Sequence, residues 1–288
     1  TTYRDILLET FRASVLMSNY SHFLDRPIFK QIGQAADHLG LECYVVGGYV
    51  RDRLIERPTK MDLDFVTVGS GIALAKEVRK GFDKKPKLSV FKSFGTAHMN
   101  YQGVDLEFVG ARKESYKRNS RNPIVEDGTL EDDQNRRDFT INAMAICLNE
   151  GRWGELIDPF NGVADLERKL IKTPLSPDKT FDDDPLRMMR AIRFAAQLDY
   201  RIDTSTLKSI REHASRLKIV APERISVELN KIMAVDKPSY GLGLLFTSGL
   251  MKEIMPEICA LQGVEEGEGH LHKDNFFHTL EVVDNLAR

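Results

Sequence analysis

The sequence predicts an α/β domain, with a mixed sheet and flanking helices, followed by an all-helical region. Short apolar or alternating runs, bounded by glycine and polar turn residues, recur up to about residue 110 and are typical of strands. Beyond about residue 131, apolar residues recur at helical spacing instead. The chain of 288 residues is long enough for two domains of this kind.

The composition is that of a soluble globular protein, with 42% hydrophobic and 29% charged residues. A net charge of −2 argues against a protein that coats nucleic acid, although it leaves room for local basic patches. The three cysteines form no CxxC pair and give no zinc signature. No apolar run approaches the roughly 18 residues of a membrane span, and no signal-peptide pattern opens the sequence. We therefore expect a cytoplasmic protein that does not enter the membrane.

Periodicity and turn residues define the elements of the first half. Pro27 begins a helix that Gly40 ends, because proline suits the first helical position and glycine the left-handed position after the last. Gln102-Gly103 predicts a hairpin between two of the strands. Predicted strands cover 42–46, 63–67, 88–91, 96–101 and 104–109, and predicted helices cover 3–17, 27–39 and 72–81, with a short helix from Tyr49.

The second half begins with a change of character. The segment Arg112–Asp133 is polar and aperiodic, which predicts a long mobile loop. Its basic part, Arg112–Arg121, is either a solvated face or a contact for the RNA backbone, and the sequence leaves both open. Helices are then predicted at 181–198, 204–214, 222–233 and 241–250 and from 275 onward, with a Gly/Glu-rich linker at 263–269.

The residues that suggest chemistry lie around a Gly-Gly turn. Asp62 and Asp64 are two apart on a predicted strand, so both carboxylates project from the same face. Two like charges this close favour a divalent metal between them. Gly47 and Gly48 stand between a strand and a short helix, an arrangement suited to binding phosphate. A metal and a phosphate at one site indicate nucleotidyl transfer.

The strand at 104–109 supplies a third carboxylate. Asp105 and Glu107 share one of its faces by the same alternation. Three carboxylates on adjacent strands suit two Mg²⁺ ions, which prefer oxygen ligands. In that chemistry one ion lowers the pKa of an attacking 3′-hydroxyl and the other holds the triphosphate and the leaving pyrophosphate. A salt-bridged surface strand is the simpler alternative, and the surrounding pattern argues against it.

The sequence GGYVRD followed by DLD resembles motif A of the class II tRNA nucleotidyltransferase and bacterial poly(A) polymerase family, within the polymerase-beta-like nucleotidyltransferases. Further matching stretches occur in the family's order over roughly residues 28–255. These stretches are LEFVGAR (106–112), RRDFTINAMA (136–145), LIDPFNGVADL (156–166), DDPLRMMRAIRFAAQL (183–198) and PERISVELNKI (222–232). The resemblance implies a polymerase-beta-like α/β head followed by an all-helical neck and body.

The resemblance also assigns roles to particular residues. It implies Asp62, Asp64 and Glu107 as catalytic metal ligands, since the spacing to Arg112 selects Glu107 over Asp105. Nucleotide contacts are implied for Gly47, Gly48, Arg51, Arg136, Arg137, Asp138, Asn142, Asp183, Asp184, Arg187 and Arg190. Arg136 and Arg137 would match negative charge that develops on the triphosphate. A purely structural role for the Arg-Arg-Asp sequence, capping the next helix, remains an alternative.

Base selection is implied for the stretch that begins at Asp183, where the family usually has glutamate. Asp184 and Arg187 are three apart on the helix predicted at 181–198, so they share a face of it. A carboxylate accepts hydrogen bonds and a guanidinium donates them in a fixed fork, so together they can read a base edge. The family uses this pair to select CTP and then ATP.

The last segment, HLHKDNFFHTLEVVDNL, resembles the opening of an HD phosphohydrolase domain. His278 is the matching metal-ligand position, whereas His270 and His272 fit a linker. The rest of that ligand set is not in this sequence, so we expect no phosphohydrolase activity from this chain.

The sequence therefore predicts a head at residues 18–150, a nucleotide-selecting and RNA-binding helical region at 151–256, and a linker with the start of an HD-type domain at 257–288. The expected function is addition of C, C and A to the 3′ end of tRNA from CTP and ATP with two Mg²⁺ ions. Poly(A) polymerase activity, CC- or A-addition alone, and a non-catalytic nucleotide- or RNA-binding module remain alternatives. The intact carboxylate trio argues against the last.

Overall fold

A computed structural model describes residues 19–58, 62–115, 124–263 and 274–287. These residues form two compact units that divide between Leu166 and Glu167. The helix expected at 3–17 and most of the linker expected at 263–269 lie outside the described residues. Within the described ranges, every helix is too short or too polar to traverse a bilayer.

The first unit is built on a sheet with flanking helices, as the sequence predicts, but the sheet has seven strands, because β8 and β9 join the five predicted ones. Its strands are β1 (Glu42–Val46), β2 (Asp62–Val68), β3 (Leu88–Phe91), β4 (Thr96–Tyr101), β5 (Val104–Gly110), β8 (Ala145–Cys147) and β9 (Leu156–Ile157), while β6 (Arg112–Ser115) and β7 (Ile124–Asp127) pair separately. Its helices are α1 (Pro27–Leu39), α2 (Gly48–Leu54), α3 (Gly71–Lys80), α4 (Leu130–Asn135) and α5 (Gly162–Glu167). The order across the sheet is β3-β4-β5-β2-β1-β8-β9.

Strand direction makes this a mixed sheet. β2 and β5 are parallel, whereas the other neighbouring strands are antiparallel. The predicted hairpin between β4 and β5 is confirmed, since Gln102 and Gly103 both have positive φ, at 53° and 80°. Two such residues form the kind of tight turn whose twist matches that of the flanking strands.

The two faces of the sheet differ because alternate residues point to opposite sides. On one face Phe65 of β2 stacks on Phe108 of β5 with ring centroids 5.3 Å apart, and Phe29 of α1 contacts Phe65 at 6.2 Å. Helices α1 and α3 cover this apolar face. The opposite face of β2 and β5 keeps its polar side chains uncovered at Asp62, Asp64 and Glu107. The core under α1 and α3 thus fixes the strands that carry the candidate site.

The prediction of a loop from Arg112 to Asp133 is wrong at both ends. β6 and β7 form an antiparallel pair in which Lys113 lies opposite Glu126. Opposite charges across a strand pair stabilise it without any apolar alternation that a sequence pattern would reveal. Helix α4 follows, and Thr129 and Asp132 cap it reciprocally. Residues 116–123, between the strands, lie outside the described residues.

The second unit is mainly helical. Its helices are α6 (Pro177–Asp183), α7 (Leu186–Leu198), α8 (Thr204–His213), α9 (Pro222–Met233), α10 (Pro238–Thr247), α11 (Leu250–Ile254), α12 (Pro256–Cys259) and α13 (Asn275–Leu286), with a short parallel pair β10 (Leu170–Ile171) and β11 (Arg201–Ile202). Arg193 of α7 and Glu228 of α9 form a buried ion pair, with Nε and Oε2 2.5 Å apart. In α13, Phe276 is buried against Phe246 of α10, with ring centroids 4.3 Å apart.

The prediction of one helix over 181–198 is wrong. α6 ends at Asp183, Asp184 has extended backbone angles of φ −144° and ψ 101°, and α7 begins at Leu186. Pro185 explains the break, because its ring disfavours helical angles at the preceding residue. The helix expected at 241–250 likewise begins earlier, at Pro238, and a second one starts at Leu250 after Gly249.

Candidate active site

The carboxylates of the first unit form a row across the parallel strands β2 and β5. In the register of this pair, Asp62 lies beside Asp105 and Asp64 beside Glu107. Neighbouring strands are about 4.8 Å apart, so these side chains leave the sheet close together on one face. Sequence alternation predicts which face they share, and the pairing brings the two strands side by side.

Glu107 and Asp105 differ in their partners. The Oδ1 atom of Asp105 accepts a hydrogen bond from Asn100 Nδ2 at 2.8 Å and lies 3.3 Å from His98 Nε2. Among the described residues, Asp62, Asp64 and Glu107 make no side-chain hydrogen bond or ion pair. This contrast is the one that the sequence motif indicates, since it selects Glu107 over Asp105 as the third ligand.

Asp64 lies at the centre of the group. Although its side chain keeps exposed surface, the surrounding protein crowds its carboxyl, and this loss of water raises the pKa of Asp64. The positive charge of Arg137 lowers that pKa, whereas the negative charges of Glu107 and Asp62 raise it further. The ionised form of Asp64 is therefore disfavoured in the folded protein, and a bound cation would stabilise it.

The three carboxylates have the chemistry of Mg²⁺ ligands, but their side chains do not converge on one point. Their oxygen donors are those that a hard divalent cation prefers. Loss of water around the carboxyl, together with the negative charges of Glu107 and Asp62, raises the pKa of Asp64, and a bound cation would favour its ionised form. Within the described ranges, no three His, Cys, Asp or Glu side chains converge closely enough to hold an ion as they stand.

Gly47 brings the backbone against this group. Its φ of 73° and ψ of −132° belong to a region that glycine adopts far more readily than other residues. A Cβ atom at this position would lie 3.2 Å from Arg137 Nη1 and 3.6 Å from Asp64 Oδ2. Gly48 begins α2, and a Cβ there would meet only Arg51 Nη2, at 3.6 Å. The turn thus lets the chain pass between a carboxylate and an arginine.

We expect Gly47→Ala to lower the free energy of unfolding by about 1–3 kcal/mol, because alanine is strained at this φ. Gly48→Ala is the matched control, since Gly48 is helical and its Cβ would be in ordinary contact; its effect should be smaller than that of Gly47→Ala. Urea denaturation of both variants measures the difference. Equal stability of the two would contradict the strained role of Gly47.

Arg136 and Arg137 are both held by one buried carboxylate. Asp133 of α4 has a fully buried side chain; its Oδ1 pairs with Arg136, and its Oδ2 accepts from Arg137 Nε at 3.0 Å. Arg137 also donates from Nη1 to the carbonyl oxygen of Asn142 at 3.3 Å. The two arginine side chains keep 21% and 17% of their surface exposed, so both are partly open to solvent, and the charge of Arg137 also acts on Asp64.

Arg51, Asp138 and Asn142 form a buried network instead of an open set of ligand contacts. Arg51 donates from Nη1 to Asn142 Oδ1 at 2.8 Å and from Nε to Asp52 Oδ1 at 2.8 Å. Asn142 Nδ2 in turn donates to Asp138 Oδ1 at 3.0 Å. Each of these residues is at most 8% exposed. The network ties α2 to the segment after Arg137 and so fixes the Gly47 turn.

In the second unit, the break before Pro185 changes the relation between Asp184 and Arg187. They do not share a helix face, because Asp184 precedes α7. Asp184 Oδ1 accepts from the backbone nitrogen of Leu186 at 3.1 Å, and its Oδ2 accepts from Arg224 Nη2 at 2.9 Å. Arg187 Nη1 donates to the carbonyl oxygen of Thr180 at 3.4 Å. Asp183 ends α6, and the Arg190 guanidinium lies over the Phe194 ring at 5.5 Å.

Comparison with known families accounts for both units. A family model described as "Poly A polymerase head domain" matches residues 43–172, and one described as "Probable RNA and SrmB- binding site of polymerase A" matches residues 199–261. This chain belongs to the tRNA nucleotidyltransferase and poly(A) polymerase family.

Individual members of this nucleotidyltransferase family are similar over most of the chain. An A-adding tRNA nucleotidyltransferase of Aquifex aeolicus (strain VF5) is 44% identical over 85% of this chain and 28% of its own length. A CCA-adding enzyme of Limosilactobacillus reuteri (strain DSM 20016) is 39% identical over 78% of this chain and 53% of its own. A tRNA nucleotidyltransferase solved with a primer tRNA and an incoming ATP analog has a TM-score of 0.68 and 36% identity, over 78% of this chain and 62% of that one. The chain thus spans about half the length, or less, of these two curated family members.

Two residues that the sequence did not single out contact predicted nucleotide-binding residues, one in each unit. Asp133 was placed in a loop, although its spacing of three and four residues to Arg136 and Arg137 is that of helical ion pairs. That spacing would have revealed it. Arg224, the partner of Asp184, is forty residues away in sequence, and no local pattern links the two.

Proposed function

We propose that this chain is the nucleotide-transferring part of a tRNA nucleotidyltransferase, which adds C, C and A to the 3′ end of tRNA from CTP and ATP. The observation that carries the proposal is the row of unpaired carboxylates, Asp62, Asp64 and Glu107, beside the Gly47 turn and the anchored Arg137. Bound to these carboxylates, Mg²⁺ would supply Lewis-acid activation of the 3′-hydroxyl and neutralisation of the triphosphate.

The residues of the chain divide the remaining work. Gly47 and Gly48 leave space for phosphate oxygens close to the backbone, since neither has a side chain to exclude them. Arg136 and Arg137 direct positive charge to the same region, where negative charge grows on the leaving pyrophosphate. Asp138 and Asn142 support the sugar side of the site through the network with Arg51. Preorganised groups of this kind stabilise a transition state without moving during the reaction.

Base selection is proposed for Asp184 and Arg187, with Asp183 and Arg190 beside them in sequence. Both hydrogen-bonding atoms of Asp184 are engaged, by Leu186 and by Arg224. A carboxylate oxygen accepts more than one hydrogen bond, so Asp184 can hold Arg224 and still accept from a base amino group. Arg224 thereby fixes the direction of the carboxylate, and Arg187 supplies the donors.

A-addition alone is the second candidate function, favoured by the 44% identity to an A-adding enzyme. Its chemistry uses the same carboxylates and differs in the nucleotide accepted. Long-tail poly(A) synthesis and a non-catalytic binding module stay as alternatives from the sequence. A pure binder has no need of three carboxylates, Asp62, Asp64 and Glu107, on one face of adjacent strands, so their arrangement supports an enzyme.

The test is incubation of the purified protein and Mg²⁺ with tRNA that ends before, within or after CC, in the presence of CTP alone, ATP alone, or both. Ordered addition that stops after A supports the CCA-adding proposal. Incorporation of A only onto tRNA already ending in CC would select the A-adding candidate. Long A tails would select poly(A) synthesis, and no incorporation under any condition would overturn an enzymatic function for this chain.

A further inference from the structure

Two phenylalanines at the free edge of the sheet are exposed without a partner in the site already described. Phe91, the last residue of β3, is 50% exposed, and Phe94, in the turn after it, is 60% exposed. β3 is the outermost strand of the sheet on this side. Exposed apolar side chains on an edge strand invite aggregation, so their presence calls for a ligand that covers them.

The surroundings of these rings are basic. The stretch 84–94 contains four lysines and no acidic residue, and Lys85, Lys87 and Lys92 are exposed. Arg112 Nη1 donates to the carbonyl oxygen of Phe94 at 3.2 Å, which places a guanidinium at the backbone of this turn. We define the aromatic edge as Phe91, Lys92, Phe94 and Arg112. Cations interleaved with flat rings match a polyanion that also carries aromatic bases.

Phe91 of the aromatic edge projects from the same face of the sheet as the carboxylates. Across the sheet, Asp64 pairs with Glu107, Glu107 with His98, and His98 with Ser89. Phe91 is two residues after Ser89, so it projects from the same face. From β2 to β3 there are three strand spacings, and Phe91 lies two residues along β3 from Ser89. Together these place Phe91 about 15 Å from Asp64. A nucleic acid strand whose end lies at Asp64 can therefore reach Phe91 within a few nucleotides.

We propose that the aromatic edge binds unpaired nucleotides of the RNA whose 3′ end is extended, with bases stacked on Phe91 and Phe94 and phosphates held by Lys92 and Arg112. The proposal rests on the proposed function in taking RNA as the partner. Bases inside a duplex are already stacked on each other, so the rings fit a single-stranded segment. Stacking tolerates any base, and the aromatic edge therefore adds affinity for the RNA without selecting the nucleotide that is added.

The test measures binding of a labelled, unstructured oligoribonucleotide to the full chain by fluorescence anisotropy, without nucleoside triphosphate. Phe91→Ala and Phe94→Ala are each expected to raise the Kd at least about 5-fold. Phe→Tyr at either position keeps a ring and should leave the Kd within about twofold of the wild type, because stacking is retained. Leu39→Ala, at an exposed apolar residue at the end of α1, is the control and should leave the Kd unchanged.

Lys92→Ala tests the electrostatic half of the proposal. It should reduce the slope of log Kd against log salt by about 0.7, the value for one phosphate contact on a single strand. The substituted residues, Leu39, Phe91, Lys92 and Phe94, are all exposed, so these variants should keep the wild-type melting temperature. A circular dichroism melt checks this.

Unchanged RNA affinity in the double variant Phe91→Ala/Phe94→Ala would overturn the proposal and leave the aromatic edge to an acidic protein partner. A loss of equal size in Leu39→Ala or in the tyrosine variants would also overturn it, since neither removes a ring from the surface. Failure of the proposed function is distinguishable. In that case the wild type incorporates no nucleotide, yet ring-dependent RNA binding persists. If the wild type extends tRNA and the double variant has the same KM for tRNA, the aromatic edge fails and the enzymatic proposal stands.

Discussion

Asp64→Asn is expected to reduce nucleotide incorporation by about 10³-fold or more while leaving the protein folded. The amide keeps the size of the carboxyl and removes its charge. Asp64 lies beside Glu107 and against the Gly47 turn, so this one change removes the carboxylate that is common to the proposed metal site and the proposed phosphate site. Single-turnover extension of tRNA at saturating CTP or ATP measures the loss, with Mg²⁺ in excess.

The same variant should be more stable than the wild type at neutral pH. The pKa of Asp64 is raised in the folded protein, mainly because the surrounding protein crowds the carboxyl. A group with a raised folded pKa contributes stability that is fully present below its unfolded pKa and is lost as pH rises through the folded pKa. At neutral pH, ionised Asp64 therefore lowers the stability of the folded wild type. Asparagine carries no charge and removes this destabilisation. Added Mg²⁺ should raise the melting temperature of the wild type more than that of Asp64→Asn.

Asp105→Asn provides the matched control for this prediction. Asp105 lies on the same face and strand as Glu107, two residues away, but its carboxylate is engaged by Asn100 and approached by His98. We expect its incorporation rate to stay within a few-fold of the wild type. Comparable losses in Asp64→Asn and Asp105→Asn would mean that charge on this face, and not a defined ligand set, supports the reaction.

The carboxylate row shows how far a sequence pattern reaches. Alternation along one strand is a local property, so the shared face of Asp62 and Asp64, and that of Asp105 and Glu107, follows from spacing alone. Which strand lies beside β2 depends on contacts across the whole sheet. Residue pairing such as Asp64 with Glu107 is therefore visible only in the fold, unless a family motif points to it.

The errors have equally particular causes. The apolar spacing of 181–198 fits one helix, but Pro185 imposes a steric restriction on Asp184 that periodicity does not register. β6 and β7 lack apolar alternation and are joined by backbone pairing and by cross-strand charges such as Lys113 opposite Glu126. Periodicity therefore failed at 181–198 because of one proline and at β6 and β7 because of cross-strand pairing. At the break before Pro185, Asp184 pairs with Arg224 and does not share a helix face with Arg187.

Asp133→Ala is expected to have the largest effect on stability. The Asp133 side chain is fully buried, and its two oxygens bind the guanidinium groups of Arg136 and Arg137. Burial raises the pKa of Asp133, but the positive charges of Arg137 and Arg136 outweigh it and hold that pKa below its usual range. Asp133 is therefore ionised at neutral pH. Removing one partner of a buried ion pair costs about 3–5 kcal/mol of unfolding free energy, because a charge is left uncompensated.

The functional consequence separates Asp133 from a residue that only supports the fold. In Asp133→Asn the side chain keeps its shape and one acceptor, so more of the folded protein should survive, but Arg136 and Arg137 lose the charge that orients them. Because the proposed role of these arginines is toward charge that grows in the transition state, we expect kcat to fall by a larger factor than the KM for CTP and ATP rises, with the KM for tRNA unchanged. Glu131→Gln is the control, since Glu131 lies on α4 at an exposed position. Urea denaturation measures the stability of these variants, and steady-state kinetics measures their KM and kcat.

An Asp133→Ala variant as stable as Glu131→Gln would show that the arginines do not depend on this carboxylate. A uniform rise in the KM for nucleotide and tRNA in Asp133→Asn would instead indicate a general loosening of the first unit, because orientation of Arg136 and Arg137 concerns the triphosphate alone.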